Sequence, residues 1–238
     1  RSDSKLFLIP RLAANWMIKE NSSFSVSVFG HGGMNTDYPS QVFHDTGSST
    51  TGINLSQLFT NLTYSTEFAE GHSLGLTAVI AAQFFEAKGV SSFANFSEDP
   101  TKLSGTGSSS SIGFGFKVGY MGQLTDALSL GVVYQSRTAM GEFDEYAGLF
   151  AEQGDFDVPS SLTVGMAYKI NDQFTAMVDA KFIHYSQINS VGNPIDPMAL
   201  QPAFLNPGGD PMNPMDYTAN PGYTPLGSEN GSGFGWED

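Results

Sequence analysis

The sequence alternates between large apolar residues and small or polar ones over much of its 238 positions. The clearest example is SLTVGMAYKINDQFTAMVDAKF, residues 161–182, where apolar side chains take every second position on both sides of a polar break at Asn171–Gln173. Successive side chains of a β-strand point to opposite faces, so this period predicts two strands joined by a turn. One face of the hairpin is apolar, and the other carries small residues and ions such as Lys169, Asp179 and Lys181.

The same alternation recurs elsewhere, and the connections between the alternating segments differ in length. Further segments are Leu6–Trp16, Phe24–Val28, Leu58–Phe68, Leu74–Ile80, Ile112–Tyr120 and Leu128–Tyr134. Short turns are expected at Lys19–Ser23, Glu70–His72, Leu124–Ala127 and Asn171–Gln173, and long loops at Asn35–Gly52, Ser91–Ser110, Glu142–Val158 and Asn189–Gly231. The sequence therefore predicts four hairpins, with all tight turns at one end and all long loops at the other.

This asymmetry is typical of transmembrane β-barrels of the outer-membrane type, which have short periplasmic turns and long external loops. The predicted fold class is all-β: a transmembrane antiparallel β-barrel, present as an incomplete wall of about eight long strands. We expect residues 1–238 to form part of a single barrel domain. Residues 189–231 are predicted to be a long irregular external loop because they are rich in Pro, Asn, Asp and Gly.

A soluble β-sandwich also alternates and is the competing fold. Charged residues make up only 14% of the chain, whereas soluble domains average about 25%. The polar face consists mostly of Gly, Ser, Thr and Ala, and a water-facing side would normally carry more Lys and Glu. These features favour the membrane barrel.

Composition also excludes several kinds of site. A net charge of −14 argues against nucleic-acid partners, because binding phosphates requires cations. The chain has no cysteine, which removes disulfides, thiolate metal ligands and a cysteine nucleophile. The four histidines are scattered without helical i, i+4 spacing, so neither a metal site nor a cofactor is predicted. They are His31, His44, His72 and His184.

One short motif suggests an enzyme. GHSLG at Gly71–Gly75 matches G-x-S-x-G, the nucleophile elbow of α/β-hydrolases, in which Ser73 would attack a carbonyl. The elbow needs a buried strand before the serine and a helix after it, and the preceding YSTEFAE is polar. The alternative is a tight turn in which Gly71 supplies an unusual backbone angle. We predict no enzyme, and a serine esterase is a distant alternative.

The hairpins, in their order and spacing, resemble the FadL/TodX family of outer-membrane transporters for long-chain fatty acids and hydrocarbons. The resemblance covers most of the chain. It is carried by FSVSVFGHGGMNTDYP (Phe24–Pro39), by the hairpins Gly113–Arg137 and Phe156–Ile188, and by GFGWED (Gly233–Asp238), which looks like the start of a following strand.

The resemblance implies a fourteen-stranded barrel plugged by an N-terminal hatch. Ligand would bind first at an external apolar groove, then in the lumen, and leave sideways through a wall opening made by a strand kink. The chain starts without a signal peptide and stops where an alternation begins, so we expect an internal fragment that lacks the hatch, the first strands and the C-terminal strands.

The resemblance places the kink at Gly30, Gly32 and Gly33, since glycine inside a strand marks a bulge, a bend or close backbone approach. A strand that frays into a loop is the alternative there. A fatty acid needs an apolar slot and a cation or donor for its head group. Candidate ligand-binding residues occupy the alternate positions predicted to face the lumen. They are Arg11, Lys117, Arg137, Lys181, Phe29, Phe59, Phe85, Met121 and Ile183, with Lys169 as a further cation. Each cation has the alternative of pairing with a neighbouring ion.

The function predicted from the sequence is passive uptake of long-chain fatty acids or similar hydrophobic compounds, with lateral release through the barrel wall. The expected location is the outer membrane of a Gram-negative bacterium. The expected partners are hydrophobic small molecules and outer-membrane lipid, and the protein is expected to be a monomer. A structural or adhesive barrel, whose long loops bind outside partners, is the competing class.

Overall fold

A computed structural model describes residues 1–238, and its main feature is one long antiparallel sheet. Eight long strands pair in the order β1-β2-β3-β4-β5-β6-β8-β9, so their order in the sheet is their order along the chain. Their bounds are β1 Arg11–Lys19, β2 Ser22–Tyr38, β3 Thr51–Ala69, β4 His72–Lys88, β5 Ser109–Thr125, β6 Leu128–Gln135, β8 Ser161–Lys169 and β9 Thr175–Ile183. β1 and β9 are the edges of this sheet, so the wall is open.

Shorter elements lie in the loops. β7 (Ala139–Met140) pairs with β5 beyond the end of β6, and β10 (Ala203–Leu205) pairs with β11 (Tyr217–Ala219) in a separate small hairpin. Two single-turn segments, α1 and α2, span Ala151–Gly154 and Asn189–Gly192. α1 is not a regular right-handed helix, because Glu152 and Gln153 have φ angles of 55° and 58°. The 3₁₀ turns span Ser91–Phe96, Asp144–Tyr146, Tyr185–Gln187 and Pro214–Asp216.

None of the helices is long and apolar enough to cross a lipid bilayer.

The predicted hairpins are confirmed. Two-residue turns at 20–21, 70–71 and 126–127 join the first three pairs, and residues 170–174 join β8 to β9. The connections at the other end of the strands are all longer. The fold is therefore all-β, and the sheet is an incomplete wall of an antiparallel barrel with tight turns at one end.

Cross-strand register keeps one face apolar through the whole wall. Leu162 lies opposite Tyr134 and Phe182, and Met166 lies opposite Leu130 and Val178. On the other face Thr163 lies opposite Lys181, and Gly165 lies opposite Asp179. Met166, Val178 and Phe182 are 45%, 59% and 61% exposed. Because so much apolar surface on one side is the property of a wall in lipid, this is the bilayer face and the opposite side is the lumen face.

The outer half of the lumen face is covered by inward-folded loop. Leu55, Phe85 and Ala87 of β3 and β4 form a buried cluster with four aromatic side chains from residues 142–158. Those four are Phe143, Tyr146, Phe150 and Phe156. Phe85 packs at 4.7 Å from both the Tyr146 and the Phe150 rings. Near the turns the lumen face is open, and Met121 and Met177 are 66% and 76% exposed.

β2 contains an irregularity near its middle. Gly30 lies opposite Leu58 of β3, but the next pair is Gly32 with Gln57, so His31 is an extra residue without a cross-strand partner. This is a β-bulge, which bends a strand and increases its local twist. Before the bulge the odd-numbered residues of β2 face the lumen, and after it the even-numbered residues do.

Two sequence expectations about the chain ends are wrong. Residues 6–10 alternate but do not belong to β1, which begins at Arg11. Pro10 has no N–H to offer a ladder, and the strand beside it is the bulged one. GFGWED does not form a strand either. Its backbone bonds to the turn around α2, with the Trp236 amide donating to the Val191 carbonyl at 3.1 Å.

The sidedness can be tested on one strand. Val164→Lys places a charge on the bilayer face and should lower the free energy of unfolding by about 2–4 kcal/mol if it lies near the midplane. Thr163→Lys, one residue away on the lumen face, should change it much less. Urea unfolding of the full-length protein in lipid vesicles measures both. Equal losses in the two variants would contradict the assignment of faces.

Candidate functional site

Two cavities lie on either side of the β2 bulge. The wall cavity, about 690 Å³, lies between residues 6–10 and the bulged part of β2. The lumen cavity, about 240 Å³, lies on the concave side, where Lys181 and Ile183 of β9 face the bulge across the curve of the sheet. Phe156, Tyr185 and Trp236 line its loop side.

The wall cavity exists because the chain before β1 separates from β2. The Gly30 amide donates to the Pro10 carbonyl at 3.0 Å, and further along the Asp3 amide donates to the Asp37 carbonyl at 2.6 Å. No backbone hydrogen bond joins the two segments between these points. A bulge bends only the strand that carries it, so a gap opens in the sheet between two closed ends.

The two cavities share lining residues at the bulge. His31, Gly32, Gly33, Met34, Leu55 and Gln57 line both of them. We call this set the junction. It borders both the lumen cavity and the cavity that opens between β2 and the chain before β1.

Glycine at the junction is required by space. A Cβ on Gly33 would lie 2.8 Å from the backbone oxygen of Leu55, and one on Gly32 would lie 2.8 Å from Oε1 of Gln57. Gly30 faces the segment before β1, where a Cβ would lie 3.0 Å from the side chain of Ile9. Larger residues would therefore fill the junction or push its walls apart, and all three glycines line the wall cavity.

Aromatic rings and one cation lie beside the junction on the lumen face. The His31 ring stacks on Phe59 with centroids 4.0 Å apart, and Phe29 lies 6.1 Å from Phe59. The Lys117 Nζ lies 5.7 Å from the centroid of the Phe29 ring, within reach of a cation–π interaction. Phe59 itself is fully buried, so the accessible part of this group consists of the Phe29 and His31 rings and Lys117.

The predicted cations separate into two groups. Arg137 lies outside the strands and pairs with Asp157 through Nε and with Asp155 through a 3.3 Å contact. Lys169 pairs with Asp172 at the turn end, 2.7 Å away. Arg11, Lys117 and Lys181 have no carboxylate within 4.0 Å in this chain, and only Lys181 lines the lumen cavity.

The predicted apolar residues are also divided. Phe29 lies beside the junction and Ile183 lines the lumen cavity, whereas Phe59 is fully buried against Phe29 and His31 and lines no open space. Phe85 is 2% exposed within the aromatic cluster, so in this structure it packs against loop and does not line open space. Met121 lies apart from these residues on the open part of the lumen face near the turns.

Several lining residues were not predicted from the sequence. The alternation predicts a strand at residues 6–9, whereas Leu6, Phe7, Leu8 and Ile9 border the wall cavity. Gln57, which lines both cavities, and the fully buried Gln83 beside it lie on the lumen face, but alternation alone does not mark either one as functional. A signal was available, since Gln83 interrupts the apolar run LTAVIAAQFF. For His31 the sequence predicts no metal site and indicates no other role.

The comparisons with known proteins agree with this architecture. Residues 3–199 match the family model described as outer membrane protein transport protein (OMPP1/FadL/TodX). The chain belongs to this family. No curated protein sequence matches.

Solved structures share the fold with this FadL/TodX-family chain. The crystal structure of the Pseudomonas putida toluene transporter TodX aligns with a TM-score of 0.61 at 18% identity, covering 79% of this chain and 56% of that one. The Ralstonia pickettii toluene transporter TbuX aligns at 0.55 and 17%, covering 75% and 55%. The CymD monoaromatic hydrocarbon channel aligns at 0.54 and 17%, covering 76% and 55%. The chain thus spans a little over half the length of these structures.

Membership of the family places the chain in the outer membrane of a Gram-negative bacterium. The family consists of transport proteins and not of enzymes. The serine motif has the wrong context as well, because Ser73 is the second residue of β4, and a 17-residue strand replaces the helix that a nucleophile elbow requires. Gly71, with φ of 71°, occupies the tight turn before it.

The inward-folded loop of this family member is tied to the wall by polar contacts. The Tyr146 hydroxyl accepts from the Ala87 amide at 2.9 Å, and the Thr138 amide donates to the Val158 carbonyl at 2.9 Å. Burial, and then the neighbouring Asp157 carboxylate, raises the pKa of Asp155 to about 7, with Arg137 opposing the shift. The docked loop therefore holds a proton near neutral pH.

This raised pKa predicts how loop docking responds to pH. The docked state binds the Asp155 proton more tightly than a released loop, whose carboxyl titrates near 3.8, so docking strengthens as the pH falls through about 7. Between pH 8 and pH 6 we expect protease cleavage within residues 142–158 to slow by about tenfold. Asp155→Asn should remove this dependence. A reference peptide corrects for the protease, and an unchanged pH response in the variant would contradict the assignment.

Proposed function

We propose that the full-length protein carries hydrophobic small molecules across the outer membrane and releases them sideways into the bilayer. A molecule in the lumen cavity reaches the junction, passes the β2 bulge, and leaves through the wall cavity. The observation that supports this route is that both cavities share the junction residues His31–Met34, Leu55 and Gln57. A solute that travels from water to water would not need an opening in the barrel wall.

Physical chemistry favours the lateral exit. An apolar molecule gains roughly 25 cal/mol for each Å² that it removes from water, and that gain is kept if it moves from protein directly to lipid. The wall cavity falls within the range of about 300–1,000 Å³ that is usual for small-molecule sites. Residues 6–9 give it an apolar border on the side of β1.

Two substrate chemistries fit the residues beside the passage. Phe29 and His31 are partly exposed rings, backed by the buried Phe59, and they suit an aromatic hydrocarbon. TodX, TbuX and CymD are described as toluene transporters and a monoaromatic hydrocarbon channel. Lys117 and Lys181 lack carboxylate partners, so they can receive the head group of a long-chain fatty acid. We propose that the passage admits both, with outer-membrane lipid as the acceptor and a single copy of the chain as the unit.

Filling the junction should block transport. Gly32→Val places side-chain atoms where Gln57 Oε1 now lies, a flexible group that can give way without unfolding the strand. We expect uptake of labelled toluene and of a labelled fatty acid to fall by about tenfold or more, since the bound path is occluded. Uptake is measured in cells that express the full-length protein, against cells that lack the gene.

The matched control is Gly75→Val, on the lumen face of β4. There a Cβ meets nothing closer than 3.8 Å, so uptake should stay near the wild-type rate. Both variants must reach the outer membrane in equal amounts. Normal uptake by Gly32→Val would remove the lateral route, and equal uptake with and without the gene would leave a structural or adhesive barrel as the better account.

The head-group role can be separated from the apolar path. Lys117→Met and Lys181→Met keep side-chain length and remove charge, so the double variant should take up fatty acid about 10- to 100-fold more slowly, the loss expected for charged hydrogen bonds. Toluene, which has no charge, should enter at the wild-type rate. The control is Lys169→Met, whose cation already pairs with Asp172. Unchanged fatty-acid uptake in the double variant would limit the proposed substrates to hydrocarbons.

A further inference from the structure

A row of amide side chains runs across the wall and ends at the junction. Gln57 of β3 donates through Nε2 to Oε1 of Gln83 at 3.0 Å. Gln83 of β4 in turn donates through Nε2 to the Phe156 carbonyl of the inward-folded loop, at 3.0 Å, and to the Ser111 hydroxyl, also at 3.0 Å. Gln83 is completely buried. A buried amide with all its partners in place is expensive to move.

The chemistry of these groups fixes the direction of the row. A backbone carbonyl can only accept, so the end of Gln83 that faces Phe156 must be its NH₂ group. The carbonyl of Gln83 then faces Gln57, which must donate to it. Gln57 therefore turns its own carbonyl oxygen to the junction, and this orientation follows from the loop backbone without any choice of amide flip.

That oxygen is available to a passing molecule. Oε1 of Gln57 accepts no hydrogen bond within the protein. It lies 2.8 Å from the position that a Cβ of Gly32 would take, and Gln57 lines both the wall cavity and the lumen cavity. A molecule that moves from one cavity to the other must pass beside it. The nearby cations Lys117 and Lys181 are donors only and cannot replace it.

We propose that Gln57 determines selectivity at the lateral exit, and that Gln83 is its positioning residue. Oε1 of Gln57 accepts a hydrogen bond from hydrophobic molecules that carry a hydroxyl donor, such as phenols and alcohols. Such a molecule gives up its bonds to water in the passage and would otherwise leave its donor unpaired, which is costly. The inference rests on the proposed lateral route and adds to it a preference among hydrophobic compounds.

The test compares two planar molecules that differ by one hydroxyl group, 2-naphthol and naphthalene. Uptake of each is measured in cells that express the full-length protein, after subtraction of uptake by cells without the gene. Gln57→Met should lower the ratio of 2-naphthol to naphthalene uptake by about two- to tenfold, as expected for one neutral hydrogen bond. Gln123→Met, on the lumen face next to the turns, should leave the ratio unchanged.

A second variant separates positioning from contact. Gln83→Met should lower the same ratio, because Gln57 then loses the partner that orients it. The double variant should be no more affected than Gln57→Met alone, since Gln83 acts through Gln57. If Gln83→Met does not assemble, Gln57→Asn, which keeps the amide but withdraws its oxygen, should give an intermediate ratio.

The outcomes distinguish this inference from the function on which it rests. A wild-type ratio in Gln57→Met, with uptake of both compounds intact, would overturn the role of Gln57 and leave the lateral route standing. Additive losses in the double variant would overturn the positioning role of Gln83. If cells with the wild-type gene take up neither compound faster than cells without it, the proposed function fails and this inference fails with it.

Discussion

Backbone hydrogen bonding in lipid constrains this fold more than any other interaction. An unpaired N–H or C=O group in the hydrocarbon region costs several kcal/mol, so a spanning sheet must keep its ladder complete. The wall obeys this rule through most of its length, with each long strand paired to its neighbours in continuous register. The exception lies between Pro10 and Asp3, where the chain before β1 makes no backbone bond to β2. A gap of this kind is tolerated only where it lines a cavity, and the wall cavity lies there.

The bulge and the glycines contribute to the wall cavity in different ways. His31 as an extra residue moves the rest of β2 away from the line of the neighbouring chain, which opens the gap. Gly32 and Gly33 then leave room between the moved strand and β3, because their missing side chains would collide with Gln57 and Leu55. A bulge without the glycines would leave the space beside β2 filled by side chains. The glycines without the bulge would leave β2 straight and the gap narrow. The wall cavity depends on both, and the sequence places them within four residues, GHGG.

Much of the wall could be predicted from the sequence, and the reasons for the failures are specific. Period-two alternation located all eight strands because each face meets a different solvent, and tight turns located the closed end. The alternation of residues 6–10 was misleading because it reports which faces are apolar and carries no information about whether a neighbour is in bonding range. Alternation shows on which face of β4 the Phe85 side chain lies, but it cannot show that a loop from 142–158 folds over it. Gln57 and Gln83 matter only through contacts made across three strands, which no local pattern contains.

The distribution of cations supports the difference between a structural ion and an available one. Arg137 lies beyond the end of β6, and its contacts with Asp155 and Asp157 attach the loop to the wall. Lys117 and Lys181 lie on strands, and the carboxylates that surround the outer loops do not reach them. While water reaches a cation on the lumen face, the water solvates its unpaired charge. An anionic ligand that displaces this water becomes the ionic partner of the cation. Among the predicted cations, the ion-paired Arg137 therefore lies outside the strands, whereas the unpaired Lys117 and Lys181 lie on strands with their side chains on the lumen face.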